Sequence, residues 1–340
     1  MQSYDDNFDV CRSFLIVSMV ITHIFEMFYL PDYNRRLTYY VTIGFVFLSG
    51  FTVGALYSER IRINPQKYAK KLMGRAYKLL LLFVICNFFI LLISQSRFNI
   101  LIKLNIFDIV ISIFLGTNQD LFGFDILIPI ALTSFFSWSL LKALNNRLSL
   151  VFIFFFLLFL WFSETVNVLN YYGVKFLLIG IIGCLIGKLA SNLDWSRALK
   201  TLSRSSATII CGILILIYYA TMFLFSKQSG PIKVHYHLIP TVIMMFFVYI
   251  LSYDFQLNDK LLIKIPNKTL SKNILFAYLF HILVINILFL FIRKDSLSFF
   301  GTSVLALFVL SFTIATCYFV DFLNLKSVIS ARIYSSLFKL

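Results

Sequence analysis

The stretch DVCRSFLIVSMVITHIFEMF, from Asp9 to Phe28, is long and apolar enough to cross a bilayer as a helix. It nevertheless carries four ionisable side chains, because Arg12, His23 and Glu26 follow Asp9 within it. A charge in the hydrocarbon core costs at least ~2.5 kcal/mol, so such residues face protein or a water-filled cavity. The stretch therefore predicts a membrane fold and, within it, a functional site.

The composition of the whole chain supports the membrane interpretation. Of its 340 residues, 60% are hydrophobic and only 13% are charged, whereas soluble domains are about 25% charged. This excludes a soluble α/β enzyme and predicts an all-α polytopic membrane protein. The connections are short and there is no internal repeat, so we expect a single transmembrane domain over residues 1–340 without an appended soluble domain.

A helix of about 20 apolar residues spans a bilayer. On this measure the sequence predicts ten spans, at 10–30, 38–57, 76–95, 121–141, 149–163, 172–190, 207–226, 236–253, 274–292 and 299–321. The segment 101–116 is interrupted by Lys103 and Asp108. We interpret it as an interfacial or re-entrant helix, with an eleventh span as the alternative.

Lysine and arginine are distributed unevenly between the predicted loops. Of the 30 in the chain, 19 fall on the side of the N-terminus and eight on the opposite side. Cytoplasmic loops carry the excess of these residues, so the bias predicts N-in and C-in topology. The same sorting accounts for most of the net charge of +15. Membrane lipids are therefore expected partners, and nucleic acid is not.

The ionisable residues of the first helix share one face. At about 100° per residue, His23 lies about 20° from Arg12, Asp9 about 60° and Glu26 about −40°. The opposite face, which we expect to meet lipid, holds Phe14, Val17, Ile21, Phe25 and Phe28. With the N-terminus inside, His23 lies roughly 16 Å along the axis from Arg12, in the outer half of the bilayer.

Each residue of this stripe has a structural explanation when it is taken alone. Arg12 can reach the headgroups, Asp9 can cap the helix, and His23 can bond to a neighbouring helix. Their placement on one stripe favours function instead, since intramembrane ionisable residues mark functional sites. Histidine is also the side chain best suited to acid–base chemistry near neutral pH.

The stretch DVCRSFLIVSMVITH resembles the first-helix signature of the acyltransferase-3 superfamily of integral membrane enzymes. That signature is an aspartate, an arginine three residues later and a histidine about eleven residues after the arginine. Asp9, Arg12 and His23 match it, while Ser13 stands where a glycine is usual.

Four further segments resemble elements of the same family. FVFLSGFTVG (45–54) is similar to its second-helix FxLSGF element, and YAKKLMGRAYKLLLL (68–82) to the basic segment that enters its third helix. FGFDILIPIAL (122–132) resembles an element of the glucan-succinylating branch. LSKNILFAYLFHILVIN (270–286) resembles a late helix with a histidine at His281, which we interpret as structural.

The resemblance implies a membrane O-acyltransferase. Acyl-CoA would bind from the cytoplasm as a co-substrate, acetyl-CoA by default and succinyl-CoA as the alternative, with no tightly bound cofactor. The acyl group would pass to a hydroxyl of an extracytoplasmic carbohydrate or glycolipid at the bacterial inner membrane. His23 would act as the base or be transiently acylated. Arg12 would position the donor or stabilise the oxyanion, and Asp9 would hold Arg12.

The densest basic segment, 58–75, contains six lysines and arginines. We expect Arg60, Lys71 and Arg75 to bind the donor phosphates through charge-assisted hydrogen bonds. The positive-inside rule and anionic lipid explain the number of charges equally well.

The expected acceptor-binding residues are acids and histidines near the outer surface, namely Glu26, Asp125, Glu164, His235 and His237. Asp125 or Glu164 could instead orient His23, and Asp125 could cap its helix. The two histidines of KVHYH could anchor the eighth span at the interface. Without nearby carboxylates they make a poor zinc site, so no metal site is predicted.

A transporter or flippase is the alternative function, because intramembrane charges are equally expected there. Such folds contain internal repeats and broken helices near the midplane. This sequence has no repeat, and only Pro129 lies well within a predicted span. The Gly50–Gly54 and Gly183–Gly187 spacings predict close helix packing.

Overall fold

The computed structural model describes residues 7–29, 31–93, 105, 124, 126–143, 172–192, 209, 213, 234–254, 268–292 and 297–338. All regular secondary structure in these residues is helical. The helices are α1 (Asn7–Phe28), α2 (Pro31–Ile63), α3 (Pro65–Ile93), α4 (Leu127–Ala143), α5 (Tyr172–Asn192), α6 (Val234–Asp254), α7 (Ile274–Phe291), α8 (Phe299–Lys326) and α9 (Val328–Leu337).

Five of these helices are long and apolar enough to cross a membrane, namely α1, α2, α3, α7 and α8. Shorter apolar helices lie within α4, α5 and α6. The all-α multi-pass fold is thus confirmed. The predicted span 149–163 lies outside the described residues, as do the span 207–226 except residues 209 and 213 and the segment 101–116 except residue 105. The count of ten spans and the orientation therefore stay predictions.

The break between α2 and α3 differs from the prediction. A basic loop is expected over 58–75, but all of this segment except Asn64 is helical. Pro65 begins α3, where its missing N–H and fixed φ suit the first helical position. The side chain of Asn64 accepts a hydrogen bond from the backbone N–H of Lys67 at 3.2 Å and caps the new helix. The basic residues consequently lie at the C-terminal end of α2 and in the N-terminal half of α3.

The chain forms two compact units. Unit 1 comprises Met1–Phe45 and Lys200–Leu340, and unit 2 comprises Val46–Leu199. Unit 1 is built around α1, which packs against α6, α7 and α8. Its buried contacts join α1, α7 and α8 through Val20, Ile24, Phe28, Ile285, Ala306 and Val309. Lipid tails are as apolar as these side chains, so close van der Waals packing holds the helices together.

The face of α1 that carries the ionisable stripe is turned into unit 1. Leu15, Ile16 and Met19 flank the stripe and are almost fully buried. On the opposite face Ile21 is exposed, as expected for lipid contact, but Phe28 is completely buried. The lipid-facing prediction is therefore wrong for Phe28, because the ends of α7 and α8 close over it.

The last helix continues directly from α8. Ser327 ends α8, and its side chain accepts a hydrogen bond from the backbone N–H of Ser330, which caps the start of α9. Tyr334 of α9 is buried, and its hydroxyl donates to the side chain of Asn273, the residue before α7. α9 is thus fixed to the start of α7.

In unit 2, α4 packs between α3 and α5, and α2 crosses α5 at glycines. A Cβ added to Gly50 or Gly54 of α2 would overlap the backbone carbonyl of Gly180 or Cys184. A Cβ on Gly183 of α5 would likewise overlap the carbonyl of Phe47. The backbones touch, so the predicted close packing at the glycine spacings is confirmed.

Candidate active site

The N-terminal end of the α1 stripe forms a small polar cluster. The Asp9 carboxylate accepts hydrogen bonds at the same oxygen from Arg12, at 3.5 Å, and from the hydroxyl of Ser271. The side chains of Asp9 and Arg12 are only 13% and 19% exposed. The predicted pairing of Asp9 with Arg12 is thus present, and Ser271 is a partner that sequence reasoning misses.

The cluster is held by the start of α7. Residues 268–272 are helical, and the buried side chain of Asn273 donates to the carbonyl of Thr269 at 3.0 Å. The opposite side of the Asn273 amide accepts from Tyr334. Both hydrogen-bonding ends of this amide are therefore engaged, which fixes the backbone that presents Ser271 to Asp9.

The other end of the stripe pairs a histidine with a carboxylate. His23 Nδ1 lies 3.8 Å from Glu26 Oε2, and the two side chains are 25% and 21% exposed. The residues are three apart, a spacing that brings side chains together on a helix. Glu26, which the sequence suggests for acceptor binding, thus lies beside the candidate base. The other carboxylates suggested for orienting His23, Asp125 and Glu164, lie outside the described residues.

A second histidine contacts the first. The ring of His281 on α7 stacks on the ring of His23, with centroids 5.7 Å apart and planes inclined at 28°. His281 is completely buried, and its Nδ1 lies 2.9 Å from the carbonyl oxygen of Ala277. The sequence contains no local signal for this pair, because the two residues lie on helices far apart in the chain.

Unit 2 carries the expected donor-binding cations on α2 and α3. Arg75 is half-buried, and its guanidinium donates a hydrogen bond to Ser49 at 3.1 Å. Lys71 is exposed, with its ammonium 5.6 Å from the ring centre of Tyr57. Arg60 lies in the last turn of α2. The contact between Arg75 and Ser49 joins the basic segment to the FVFLSGF element.

The surroundings of Lys71 combine cations with aromatic rings. The Tyr57 ring makes an edge contact with Tyr68, and Lys67 lies over Tyr68 at 5.8 Å. On α4, Lys142 lies over the ring of Trp138 at 5.5 Å. Tyr68 and Trp138 pack against one buried cluster that joins α2, α3, α4 and α5. The cations at this end of unit 2 thus contact aromatic rings that are held in place by packing against this cluster.

The remaining expected acceptor residues are His235 and His237, which lie in the first turn of α6. Within the described residues, no group of three or more His, Cys, Asp or Glu side chains is arranged to hold a metal ion.

Comparison with known proteins decides the family. The family model described as an acyltransferase domain, the acyltransferase-3 model, matches residues 5–322. The chain belongs to the acyltransferase-3 family. The match runs from α1 into α8 and includes both compact units. No curated protein and no solved structure matches the chain.

As a membrane acyltransferase, the protein needs a group that removes a proton from the accepting atom and groups that hold the donor. A histidine beside a carboxylate is suited to the first task, since the carboxylate orients the ring and stabilises its protonated form. His23 and Glu26 have this arrangement in unit 1. Cations that carry several N–H donors suit the second task, and Arg75 is such a group in unit 2.

Proposed function

We propose that this acyltransferase moves an acyl group from cytoplasmic acyl-CoA to a hydroxyl of an extracytoplasmic carbohydrate or glycolipid. Acetyl is the default acyl group and succinyl the alternative. The bacterial inner membrane is the proposed location, with both termini in the cytoplasm. The observation that carries the proposal is the pairing of His23 with Glu26 on a membrane-embedded helix of an acyltransferase-3 protein.

The base of the proposed reaction is His23. Its Nδ1 faces the Glu26 carboxylate at 3.8 Å, and such contacts shorten when substrate binds. With Nδ1 holding its proton toward Glu26, Nε2 is free to take the proton of the acceptor hydroxyl. The hydroxyl oxygen then attacks the thioester carbon, a C–O bond forms, the C–S bond breaks, and the CoA thiolate receives the proton from His23.

The donor is proposed to bind through the cations of α2 and α3. Acyl-CoA carries phosphates, which arginine binds with paired N–H donors and lysine with a point charge. Arg60 lies in the last turn of α2, and Lys71 and Arg75 lie in the N-terminal half of α3, all in unit 2. The excess of positive charge in this segment favours the cytoplasmic side. Arg12, held by Asp9, is proposed to steady the donor thioester or its oxyanion.

The proposal is tested with purified protein in lipid nanodiscs by following free CoA released from acetyl-CoA and from succinyl-CoA. We expect saturable turnover of one donor, its loss in His23→Gln with donor binding retained, and weaker binding in Arg12→Ala. Thr22→Val is the matched control, since Thr22 adjoins His23 and bonds only its own helix backbone at Met19 in the described structure. Folded wild-type protein that binds neither donor would refute the acyl-CoA assignment.

Orientation is tested separately with a green fluorescent protein fused to the C-terminus. This reporter becomes fluorescent in the cytoplasm but not after export through the general secretion route. We expect fluorescent cells. A dark fusion that is nevertheless full-length and membrane-inserted would contradict the C-in assignment.

A further inference from the structure

The hydrogen bond to Ala277 fixes which nitrogen of His281 carries the proton. The Ala277 carbonyl oxygen can only accept, so His281 Nδ1, 2.9 Å away, must be the donor. In a neutral imidazole the other nitrogen then bears a lone pair. Nε2 of His281 is therefore a hydrogen-bond acceptor.

That acceptor is buried without a partner. Within the described part of the chain, His281 Nε2 has no hydrogen-bond partner, and the residue is 0% exposed. Leaving a buried polar atom unsatisfied costs free energy, so each such atom in a native structure calls for an explanation. A bound molecule that supplies the donor would be one.

The location of this atom suggests which molecule that is. His281 stacks directly on His23, with ring centroids 5.7 Å apart. The edge of Tyr278 covers another part of the ring, at 5.7 Å and 68°. A substrate that binds at His23 thus lies beside the ring that carries this second acceptor. Because His281 is 0% exposed, a substrate hydroxyl reaches Nε2 only when the side chains that cover it move aside.

We propose that His281 Nε2 accepts a hydrogen bond from the acyl acceptor, through a hydroxyl next to the one that reacts at His23. This inference rests on the proposed function. A hydroxyl has one proton, and the reacting hydroxyl gives its proton to His23. The donor to His281 must therefore be a different hydroxyl of the same molecule. The favoured acceptors are polyols, such as sugars, and a lone alcohol leaves His281 unpaired.

The chain itself indicates how to separate this role from a structural one. On the same helix, the Asn286 side chain donates to the carbonyl four residues earlier, Ile282, at 2.8 Å. Asn273 makes the same kind of bond to Thr269. His281→Asn should therefore keep the bond to Ala277 and lose only the Nε2 acceptor. His281→Gln places an amide oxygen near the Nε2 position instead.

The experiment compares two acceptors that share an alkyl chain, octyl β-glucoside and 1-octanol. Protein in lipid nanodiscs receives the acyl-CoA that it turns over, and acylated products are measured by mass spectrometry. We expect wild type to prefer the glucoside by roughly tenfold or more in kcat/KM, the effect of one unpaired buried acceptor. His281→Asn should lose that preference, so that its kcat/KM values for the glucoside and for octanol become similar. His281→Gln should retain part of it.

Asn286→Ala is the control, because it removes a helix bond of the same type without touching either histidine, and it should leave the preference unchanged. Preference retained in His281→Asn would overturn the inference. Wild-type protein that turns over the donor but acylates the glucoside no better than octanol would also overturn the inference. The proposed function would still stand in that case. Folded wild type that turns over no acyl-CoA would overturn the proposed function and this inference with it.

Discussion

The guanidinium of Arg75 on α3 donates a hydrogen bond to the hydroxyl of Ser49 on α2 at 3.1 Å. Ser49 immediately precedes Gly50, where α2 touches the backbone of α5. A cation of the basic segment is thus held beside a point where the backbones of α2 and α5 touch. A proposed donor-binding residue and the packing of unit 2 thus meet at this pair.

Replacing Arg75 by alanine should raise the KM or Kd for acyl-CoA roughly tenfold or more, because charge-assisted hydrogen bonds to phosphate are lost. Ser49→Ala should have a smaller effect of the same sign, since only the positioning bond is removed. The affinity for the donor, measured at two salt concentrations, checks both predictions. The affinity of wild type should depend more steeply on salt than that of Arg75→Ala. Arg62→Ala is the control, because Arg62 is 69% exposed and pairs with Glu59. Equal losses in Arg62→Ala and Arg75→Ala would point to a general effect of charge.

Replacing Glu26 by glutamine should lower kcat about tenfold or more and leave the KM for the donor nearly unchanged. The amide keeps the shape of the side chain but removes the charge that stabilises a protonated His23 in the transition state. Steady-state kinetics give the two constants. Asp321→Asn is the control, because it removes the carboxylate of another ion pair of unit 1, with Lys272 at 2.6 Å. A rise in KM without a fall in kcat would favour acceptor binding by Glu26.

Gly54→Ala should destabilise the protein by several kcal/mol or prevent its folding, since the new methyl would overlap the Cys184 carbonyl. Gly74→Ala should have the opposite sign. Gly74 lies inside α3 with nothing within 4 Å of an added Cβ, and alanine is favoured over glycine in a helix by up to ~1 kcal/mol. Thermal unfolding followed by size-exclusion chromatography compares the two. Similar behaviour of both variants would contradict the tight crossing of α2 and α5.

The phenol of Tyr334, in the helix beyond the last membrane span, should make stability depend on alkaline pH. Burial raises the pKa of Tyr334 above its ordinary value of 10.0. The unfolded chain therefore loses this proton first, so the stabilisation is complete below pH 10 and declines as the pH rises beyond it. Tyr334→Phe should be less stable at pH 8, where it lacks the bond to Asn273. It should also lose less stability than wild type between pH 8 and pH 11.

Thermal midpoints at the two pH values measure this difference. Tyr77→Phe serves as the comparison, because Tyr77 is 68% exposed. If the thermal midpoints of wild type and Tyr334→Phe change in parallel with pH, the phenol of Tyr334 does not contribute to the pH dependence of stability.

Local periodicity predicts the polar stripe of α1 well, because the angle between two residues of one helix depends only on their separation. The same argument fails for Phe28, whose burial depends on where α7 and α8 end. The carboxylate partner of His23 could have been predicted from the sequence, since Glu26 is three residues away and such neighbours touch.

The break between α2 and α3 also had a local signal in Asn64 and Pro65, a capping residue followed by a helix-starting proline. The count of positive charges does not reveal this break. Charge indicates on which side of the membrane a segment lies, but it does not predict the conformation of the backbone. The stacking of His281 on His23 has no such signal. It is a tertiary contact between helices, and a histidine in an apolar helix gives no indication of its partner.

The division of the chain into units has a consequence for biosynthesis. Unit 2 is one continuous segment, Val46–Leu199, so its helices can find one another while the ribosome is still translating the C-terminal part of the chain. Unit 1 is assembled from both ends of the chain. α1, which carries Arg12 and His23, is translated before α6, α7 and α8, so its polar stripe is enclosed only after these three helices have been made. The nascent chain must therefore keep these side chains away from lipid until α8 has been made.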